Sequence, residues 1–314
     1  MATHSLALAR RLRFQHLELL REVAERGTLG EAAAALHLSK PAVSKALKEI
    51  ESGFGQPLFE RSARGMRPTA LGARVVRHAR LLLHEFRHMV DDVGDGERKV
   101  SGRVRVGMSP YVNLTLAPGL ITRLKRLQPQ EAAAIQVSDG WLAGLIERLL
   151  GGELDVVLAL YAPQAVAGMD LSRLVIEPLR EEPMIPVASP ALAVAPPASG
   201  RWRELLAWPW ILPPPATHLR RTVDERFAAE GARPPLPVIE SPVLAANAGL
   251  AAAGLGLTVV PASAAAPGIA AGRLRALDTL APLPPTHLVL MYRRVAALYL
   301  PWIEVFRAAA LEVA

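Results

Sequence analysis

The sequence predicts an α/β protein in three parts: a small helical head, a long connecting helix and a larger body of alternating strands and helices. Three observations predict this organisation. Short apolar stripes at helical spacing fill residues 13–54, a heptad-like apolar repeat spans 71–93, and apolar runs alternate with amphipathic segments from residue 103. We place the head at 1–68, the connecting helix at 69–93, a glycine-rich hinge at 94–102 and the body at 103–314.

Two short helices are expected at the start of the head. Residues 13–26 place apolar side chains on one helical face, and Gly27 ends that helix. Thr28 and Glu31 have the spacing of a capping box, in which each side chain satisfies an unpaired amide at a helix start. A second helix therefore begins at Thr28.

A third helix is expected after a turn of only His37 and Leu38. Ser39 is a suitable N-cap, and Pro41 is tolerated in a first helical turn because its missing N–H would have no intrahelical partner there. Apolar side chains at steps of four and three can pack inward: Val43, Leu47 and Ile50. The side chains turned outward are Lys40, Pro41, Ala42, Ser44, Lys45 and Lys48. A short, polar, cationic face of this kind suits the major groove of DNA, so the two helices read as a helix-turn-helix.

A basic loop follows the third helix. Residues 60–69 read as two short extended arms around a glycine turn, and they carry Arg61, Arg64 and Arg67. We interpret this loop as a wing whose arginines bind DNA together with Thr28, Ser39 and the outward face of the third helix. The alternative is a solvated pair of helices with a charged loop.

The amino-acid sequence of this region resembles that of LysR-type transcriptional regulators. The resemblance rests on Ala32 to Leu36, Leu38 to Lys45, Pro57 to Arg61, and Arg67 to Gly72, and in layout it extends over nearly the whole chain. Many members of that family have glutamine where this chain has Lys40, so a base-reading amide is replaced here by a point charge.

The connecting helix is expected to begin at the cap residue Thr69 and to mediate dimerisation. Its apolar side chains follow steps of four and three, at Leu71, Val75, Leu82, Phe86 and Met89. Packing against the chain's own body would be the alternative use of this stripe, and the family resemblance favours a paired linker helix. His84 and His88 share a face as metal ligands can, but without a third ligand we expect no metal site.

The body is expected to contain two α/β lobes, with lobe I at about 103–178 and 274–314 and lobe II at about 179–273. Expected strands cover 104–108, 133–137, 155–160, 174–179, 184–188, 209–212, 237–240, 255–260 and 286–292, and expected helices cover 114–127, 141–150, 217–230, 242–253 and 296–311. Residues 274–277 are expected to cross back to the first lobe. Two crossings between two lobes resemble the two-lobed periplasmic-binding-protein-like (type 2) effector domain of the same family.

The distribution of charge along the chain indicates the class of its binding partner. Residues 1–105 hold 19 Lys and Arg against 12 Asp and Glu, whereas residues 106–314 hold 17 of each kind, so the whole net charge of +7 lies in the N-terminal part. Positive charge concentrated on a structured head indicates nucleic acid binding.

The chain has no cysteine, which excludes disulfides and thiol-based sensing. The uncharged stretch 241–272 is read as buried structure because prolines interrupt it, and the lack of a signal peptide predicts a cytoplasmic, nucleoid-associated protein.

We expect no catalytic activity and no cofactor. Ser109 lies at a strand-to-helix turn, but the glycine that a nucleophile elbow needs two residues later is Tyr111. Hydroxyls at helix starts beyond the carboxyl ends of strands instead suit an anionic ligand, although each also works as an ordinary cap. The effector-binding candidates are Ser109, Tyr161, Pro214, Thr217 and Ser241.

The family resemblance implies the partners. They are double-stranded promoter DNA, a small-molecule effector that is an organic acid or a polyhydroxylated metabolite, further copies of the chain in a homodimer or homotetramer, and RNA polymerase. Two other classes of protein remain as alternatives: an α/β hydrolase or transferase with a fused helical head, and a plain solute-binding protein. The former lacks its motifs, and the latter leaves residues 28–69 unexplained.

Overall fold

The computed structural model describes residues 12–62, 65–94, 104–127, 134–192, 200–215, 217–278, 280–294 and 302–313. The expected hinge, apart from Gly94, and the wing residue Arg64 lie outside the described residues. The chain divides into two compact units. The first comprises 1–104, 130–135 and 147–154, and the second comprises 105–129, 136–146 and 155–314.

The head is a helical domain with a two-stranded wing, as the sequence predicts. Its elements are α1 (Phe14–Arg26), α2 (Leu29–Ala35), α3 (Lys40–Phe54), β1 (Phe59–Ser62) and β2 (Gly65–Pro68), followed by the long helix α4 (Ala70–Gly94). One apolar core joins α1, α2, α3, β1 and the start of α4, and its fully buried members include Leu20, Val23, Val43 and Leu58.

One local prediction for the head, the capping box at Thr28, is wrong in detail. Thr28 caps α2 by accepting from the Glu31 amide at 3.2 Å, but the Glu31 carboxylate accepts from the Thr28 hydroxyl at 3.0 Å rather than from its amide. The turn between α2 and α3 is as expected, since Leu36 is the C-cap of α2, Ser39 is the N-cap of α3, and only His37 and Leu38 lie between the two caps. His37 in this turn adopts a left-handed φ of 54°.

Two glycines and one carboxylate hold the wing against the helices. A Cβ at Gly65, which has a φ of +106°, would lie 2.3 Å from the Gly27 carbonyl oxygen, and a Cβ at Gly72 would lie 1.8 Å from the Leu58 carbonyl oxygen. Only glycine permits these close approaches. Glu51 near the end of α3 accepts from the amides of Leu58 and Phe59 at 2.8 and 3.1 Å. The start of β1 is therefore tied to the end of α3.

The body contains alternating strands and helices. In chain order they are β3 (Val104–Met108), α5 (Pro110–Leu127), β4 (Ile135–Asp139), α6 (Leu142–Leu150), β5 (Val156–Tyr161), β6 (Leu174–Glu182), β7 (Met184–Ala188), β8 (Ile211–Leu212), α7 (His218–Ala229), β9 (Ile239–Glu240), α8 (Leu244–Ala252), β10 (Thr258–Pro261), α9 (Ala262–Ala270), β11 (Arg275–Ala276), β12 (Thr286–Arg293) and α10 (Trp302–Val313). Short 3₁₀ segments cover Pro163–Val166, Pro190–Leu192 and Trp202–Leu205.

The strands form separate sheets for the two lobes. The first has the order β4-β3-β5-β12-β6, with β3 and β5 parallel and β12 antiparallel to both of its neighbours. The second has the order β10-β7-β11, and β8 pairs with β9 in parallel beside it. Trp202, Trp210 and Phe227 pack in the core of the second lobe with ring centroids 5.6 to 6.2 Å apart.

The passages between the lobes differ from those expected. Strand β6 pairs with β12 as far as Glu182, so the chain leaves the first sheet at Pro183 rather than between 178 and 179. Strand β11 pairs with β7, and Leu280 and Leu283 are buried in the core of the second lobe, so residues 274–283 belong to lobe II. The sequence boundary at 274 was wrong because the leucines that follow it are buried there.

Two helices also differ from those expected. Helix α5 begins at Pro110, four residues before the expected start at Leu114, because proline fits a first helical turn. Helix α9 was not expected, and it contains Pro267 within the uncharged stretch. Within the described residues no helix is long and apolar enough to cross a membrane.

Candidate DNA-binding and effector-binding sites

Helix α3 exposes the polar face that the sequence predicts. Ser39 caps it by accepting from the Ala42 amide at 3.3 Å, and Val43, Leu47 and Ile50 are buried. The side chains of Ser39, Lys40, Pro41, Ala42, Lys45 and Lys48 are exposed, and that of Ser44 is half-buried. A cationic surface with small residues at its N-terminal end is what entry into a major groove requires.

The wing adds further exposed cations. Arg61 and Arg67 lie on the paired strands β1 and β2, where Glu60 is the strand partner of Arg67. The amide of Met66 donates to the Gly27 carbonyl at 2.6 Å, which fixes the wing next to the cap residue Thr28. Thr28 is exposed, so its methyl and backbone lie at the surface between the wing and α2.

The apolar stripe of α4 divides into two parts. Leu71 and Val75 are half-buried against the core of the head, while Leu82, Phe86 and Met89 are 53%, 42% and 52% exposed. Phe86 packs on Phe14 of α1, with ring centroids 4.3 Å apart. The first two positions therefore support the head itself, and the exposed apolar surface suited to another copy begins at Leu82.

Ser109 and Tyr161 lie at the same edge of the first sheet. Strands β3 and β5 are parallel neighbours with Met108 opposite Leu158, so Ser109 follows β3 at the edge where Tyr161 ends β5. The Ser109 backbone oxygen accepts from Asn113 at the start of α5. Its Oγ is buried and has no hydrogen-bond partner among the described residues. An unsatisfied hydroxyl at a strand's carboxyl end is available to a ligand.

Pro214, Thr217 and Ser241 lie at the corresponding edge of the parallel pair β8 and β9. The Ser241 amide donates to the Leu212 carbonyl at 3.0 Å, which brings the two strand ends together. Thr217 accepts from the Arg220 amide at 3.3 Å and donates to the Pro214 carbonyl at 2.8 Å. The Ser241 hydroxyl accepts from the Val243 amide at 3.4 Å. Thr217 therefore caps α7 and the Ser241 hydroxyl has a local partner, unlike the hydroxyl of Ser109.

A buried polar chain that the sequence did not reveal joins the two lobes beside Ser109. The Ser263 hydroxyl and amide donate to Glu182 Oε1 at 2.7 and 3.1 Å, and the Tyr111 hydroxyl donates to Ser263 Oγ. Arg180 pairs with the other oxygen of Glu182 at 2.8 Å. Burial raises the pKa of Tyr111, so its phenol stays protonated and remains a donor. These residues are far apart in sequence, and their spacing carries no signal.

Two further side chains near the expected ligand positions were also missed. Trp141 follows β4 and is 56% exposed, and the preceding Gly140 donates to the Met108 carbonyl next to Ser109. Arg220 is buried, binds Asp224 at 2.9 Å and donates to the Pro213 carbonyl at 3.4 Å. The sequence did contain signals for both residues. Trp141 is an aromatic residue just after an expected strand, and Arg220 follows the helix cap Thr217.

Two family models match separate parts of the chain. Residues 97–314 match the model described as LysR substrate binding domain, and residues 14–73 match that of the bacterial regulatory helix-turn-helix protein, lysR family.

Individual relatives are transcriptional regulators. The regulator PcaQ of Agrobacterium fabrum is 32% identical over 231 residues, which cover 73% of this chain and 71% of PcaQ. The regulator GalR of Pseudomonas putida is 33% identical over 282 residues, or 89% of this chain and 68% of GalR. The crystal structure of ArgP from Mycobacterium tuberculosis has the same fold, with a TM-score of 0.69 at 19% identity over 95% of this chain and 96% of ArgP.

These findings do not favour the alternative of a hydrolase or transferase with a fused head. The head matches a DNA-binding model, the body matches a ligand-binding one, and the relatives are regulators rather than enzymes. The chain belongs to the LysR family of transcriptional regulators, with a DNA-binding helix-turn-helix head and an effector-binding domain.

Proposed function

We propose that the regulator reads its operator mainly through Lys45 and Ser44 of α3, and that the wing arginines bind phosphates. The exposed face of α3 carries this proposal, since it combines small residues with hydrogen-bond donors on a helix that packs its other face in the head core. Side chains on base edges give sequence discrimination, whereas contacts to phosphates strengthen binding to every sequence.

The test compares Lys45→Ala with Arg61→Ala in the full chain. Fluorescence anisotropy is measured on DNA from upstream of the regulator's own gene and on a scrambled duplex of equal length. Lys45→Ala should reduce the ratio of the two affinities. Arg61→Ala should weaken both affinities alike and reduce the slope of log affinity against log salt by about the contribution of one phosphate contact. Identical effects of the two changes would mean that the roles of helix and wing are misassigned.

We propose that the effector is an organic acid or a polyhydroxylated metabolite held between the lobes. The buried Ser109 hydroxyl without a partner carries this proposal. It lies at the start of α5, where the first helical amides also favour an oxygen-rich or anionic group. Tyr161, Pro214, Thr217 and Ser241 complete the proposed ligand set, with the latter three supplied by the edge of β8 and β9.

A thermal-shift screen of carboxylic and sugar acids supplies the ligand for the test. Ser109→Ala should weaken its affinity about ten- to a hundredfold, because a ligand oxygen loses its donor in a partly dry site. Thr217→Val should weaken it less, since that hydroxyl already has local partners. Ser172→Ala is the matched control, because the Ser172 hydroxyl donates to Asp170 at 2.6 Å. Unchanged binding by Ser109→Ala would leave this hydroxyl outside the site.

LysR regulators form oligomers, and we infer that this chain pairs through the exposed part of α4 into a homodimer and further into a homotetramer. The support is the run of exposed apolar residues from Leu82 to Val90 on one helix. RNA polymerase is the proposed partner at the promoter, and a pull-down with and without operator DNA tests that contact.

A further inference from the structure

A groove of about 910 Å³ lies between the start of α1 and one flank of α3. Helix α1 contributes Arg13 and His16 to its lining, and α3 contributes Ser44, Lys45 and Lys48. The α3 side chains are also part of the surface that meets DNA in the proposal above. Whatever binds in the groove is therefore adjacent to DNA bound on α3.

The cations of this groove are not neutralised by carboxylates. Within the part of the chain that the structure describes, Arg13, Lys45 and Lys48 form no ion pair. Arginines elsewhere on α1 do, since Arg21 binds Glu22 at 2.6 Å. Glu49 contributes a carboxylate to the lining, but the three cations leave the groove net positive.

His16 adds a neutral donor to the same groove. The Arg13 backbone amide donates to His16 Nδ1 at 3.3 Å. Because Nδ1 accepts, the proton of the neutral ring is on Nε2, which is then a donor. Burial and the neighbouring charge of Arg13 lower the pKa of His16, while Glu49 raises it less, so the ring is neutral at pH 7.

We infer that this groove binds a phosphate of the DNA backbone, with Arg13 as its cation and His16 as a neutral donor, so that α1 as well as α3 and the wing contacts the operator. A phosphate matches a net positive groove with several N–H donors. Such a contact fixes the position of α3 in the major groove and carries no sequence information. The inference rests on DNA binding by the head, and names one additional contact within it.

The experiment measures the affinity of the full chain for its own upstream DNA and for a scrambled duplex between 50 and 200 mM salt at pH 7.5. Each phosphate contact contributes a slope of about −0.9 in log affinity against log salt, which is roughly 3.5-fold over this range. Arg13→Ala should therefore bind more weakly than wild type at 50 mM salt, and this deficit should shrink roughly 3.5-fold by 200 mM salt. It should do so equally on both duplexes, while Arg13→Lys should keep the wild-type slope.

Two further variants separate the contact from a general effect of charge. Arg21→Ala removes the same charge from the same helix outside the groove and should leave the slope unchanged, because Arg21 is already paired with Glu22. His16→Ala removes a neutral donor and should weaken binding without changing the slope. Circular dichroism checks that each variant is folded.

An Arg13→Ala slope equal to that of wild type overturns the inference, as does an equal loss of slope in Arg21→Ala. Wild-type protein that binds neither duplex would instead refute DNA binding by the head itself. The two failures are therefore distinguishable.

Discussion

Replacing Glu51 with alanine should destabilise the head more than any change at an exposed carboxylate of α3. Its Oε1 accepts from the amides of Leu58 and Phe59, and both residues are buried. A buried amide left without an acceptor costs about 1 to 3 kcal/mol. Water can reach the adjacent loop, so the lower part of the summed range applies, and Glu51→Ala should cost roughly 2 to 4 kcal/mol in free energy of unfolding. Glu51→Gln keeps one acceptor oxygen and should cost about 1 kcal/mol.

A probe that reports on the head alone is needed for this measurement. The tryptophans are Trp141, Trp202, Trp208, Trp210 and Trp302, all in the body. The chain lacks cysteine, so a fluorophore on a cysteine introduced at the exposed Ala34 follows the head selectively. A loss of 2 kcal/mol in a domain of this size lowers its midpoint of thermal unfolding by at least about 8 °C.

The control for Glu51→Ala is Glu49→Ala, two residues earlier on the same helix. Glu49 is exposed, so its replacement should change the stability by less than about 0.5 kcal/mol. The reasoning is refuted if both variants unfold at the same temperature while the tryptophan signal of the body is also unchanged. In that case the two amides find water or another acceptor when the carboxylate is removed.

Two other predictions concern assembly and acid stability. Glutamate at both Leu82 and Phe86 should give a smaller particle by light scattering with weaker operator affinity, because four like charges would meet in the proposed dimer; an unchanged mass would place the contact elsewhere. Burial raises the pKa of Glu22, but hydrogen bonds from Arg21 and Arg26 and their charges hold it below its ordinary value of 4.5. The folded head therefore gains stability above pH 4.5 that is lost as the pH falls through the lower folded-state pKa, and Glu22→Gln should flatten this dependence in denaturation series from pH 3 to 6. A variant with the wild-type slope would show that other carboxylates cause it.

The head could be predicted closely from the sequence because its signals are local. Caps such as Ser39, the stop at Gly27 and the inward stripe of α3 each act within a few residues. The left-handed conformation of His37 was not expected, because nothing in the residue type requires it. Glu51 likewise has no sequence signal, since its partners are the amides of Leu58 and Phe59, seven and eight residues later at the start of β1.

The body was less predictable because its strands pair over long distances. The alternation of strands and helices was recoverable, but the extent of β6 depends on β12, more than a hundred residues away. The same distance hides the link from Tyr111 through Ser263 to Glu182. Thr217 and Ser241 have local hydrogen-bond partners, whereas the Ser109 hydroxyl has none among the described residues, and only the structure reveals this.

The most direct test of the central claim is a competition measurement of operator binding by the full chain. Labelled DNA from upstream of its own gene is displaced by unlabelled copies of the same duplex or of a scrambled one, at 0.15 M salt and with heparin absent. The native duplex should compete at least about a thousandfold better, and its protected region should contain two related half-sites about one helical turn apart or a multiple of it. Equal competition by the scrambled duplex would contradict the claim that this chain is a sequence-specific regulator of that promoter.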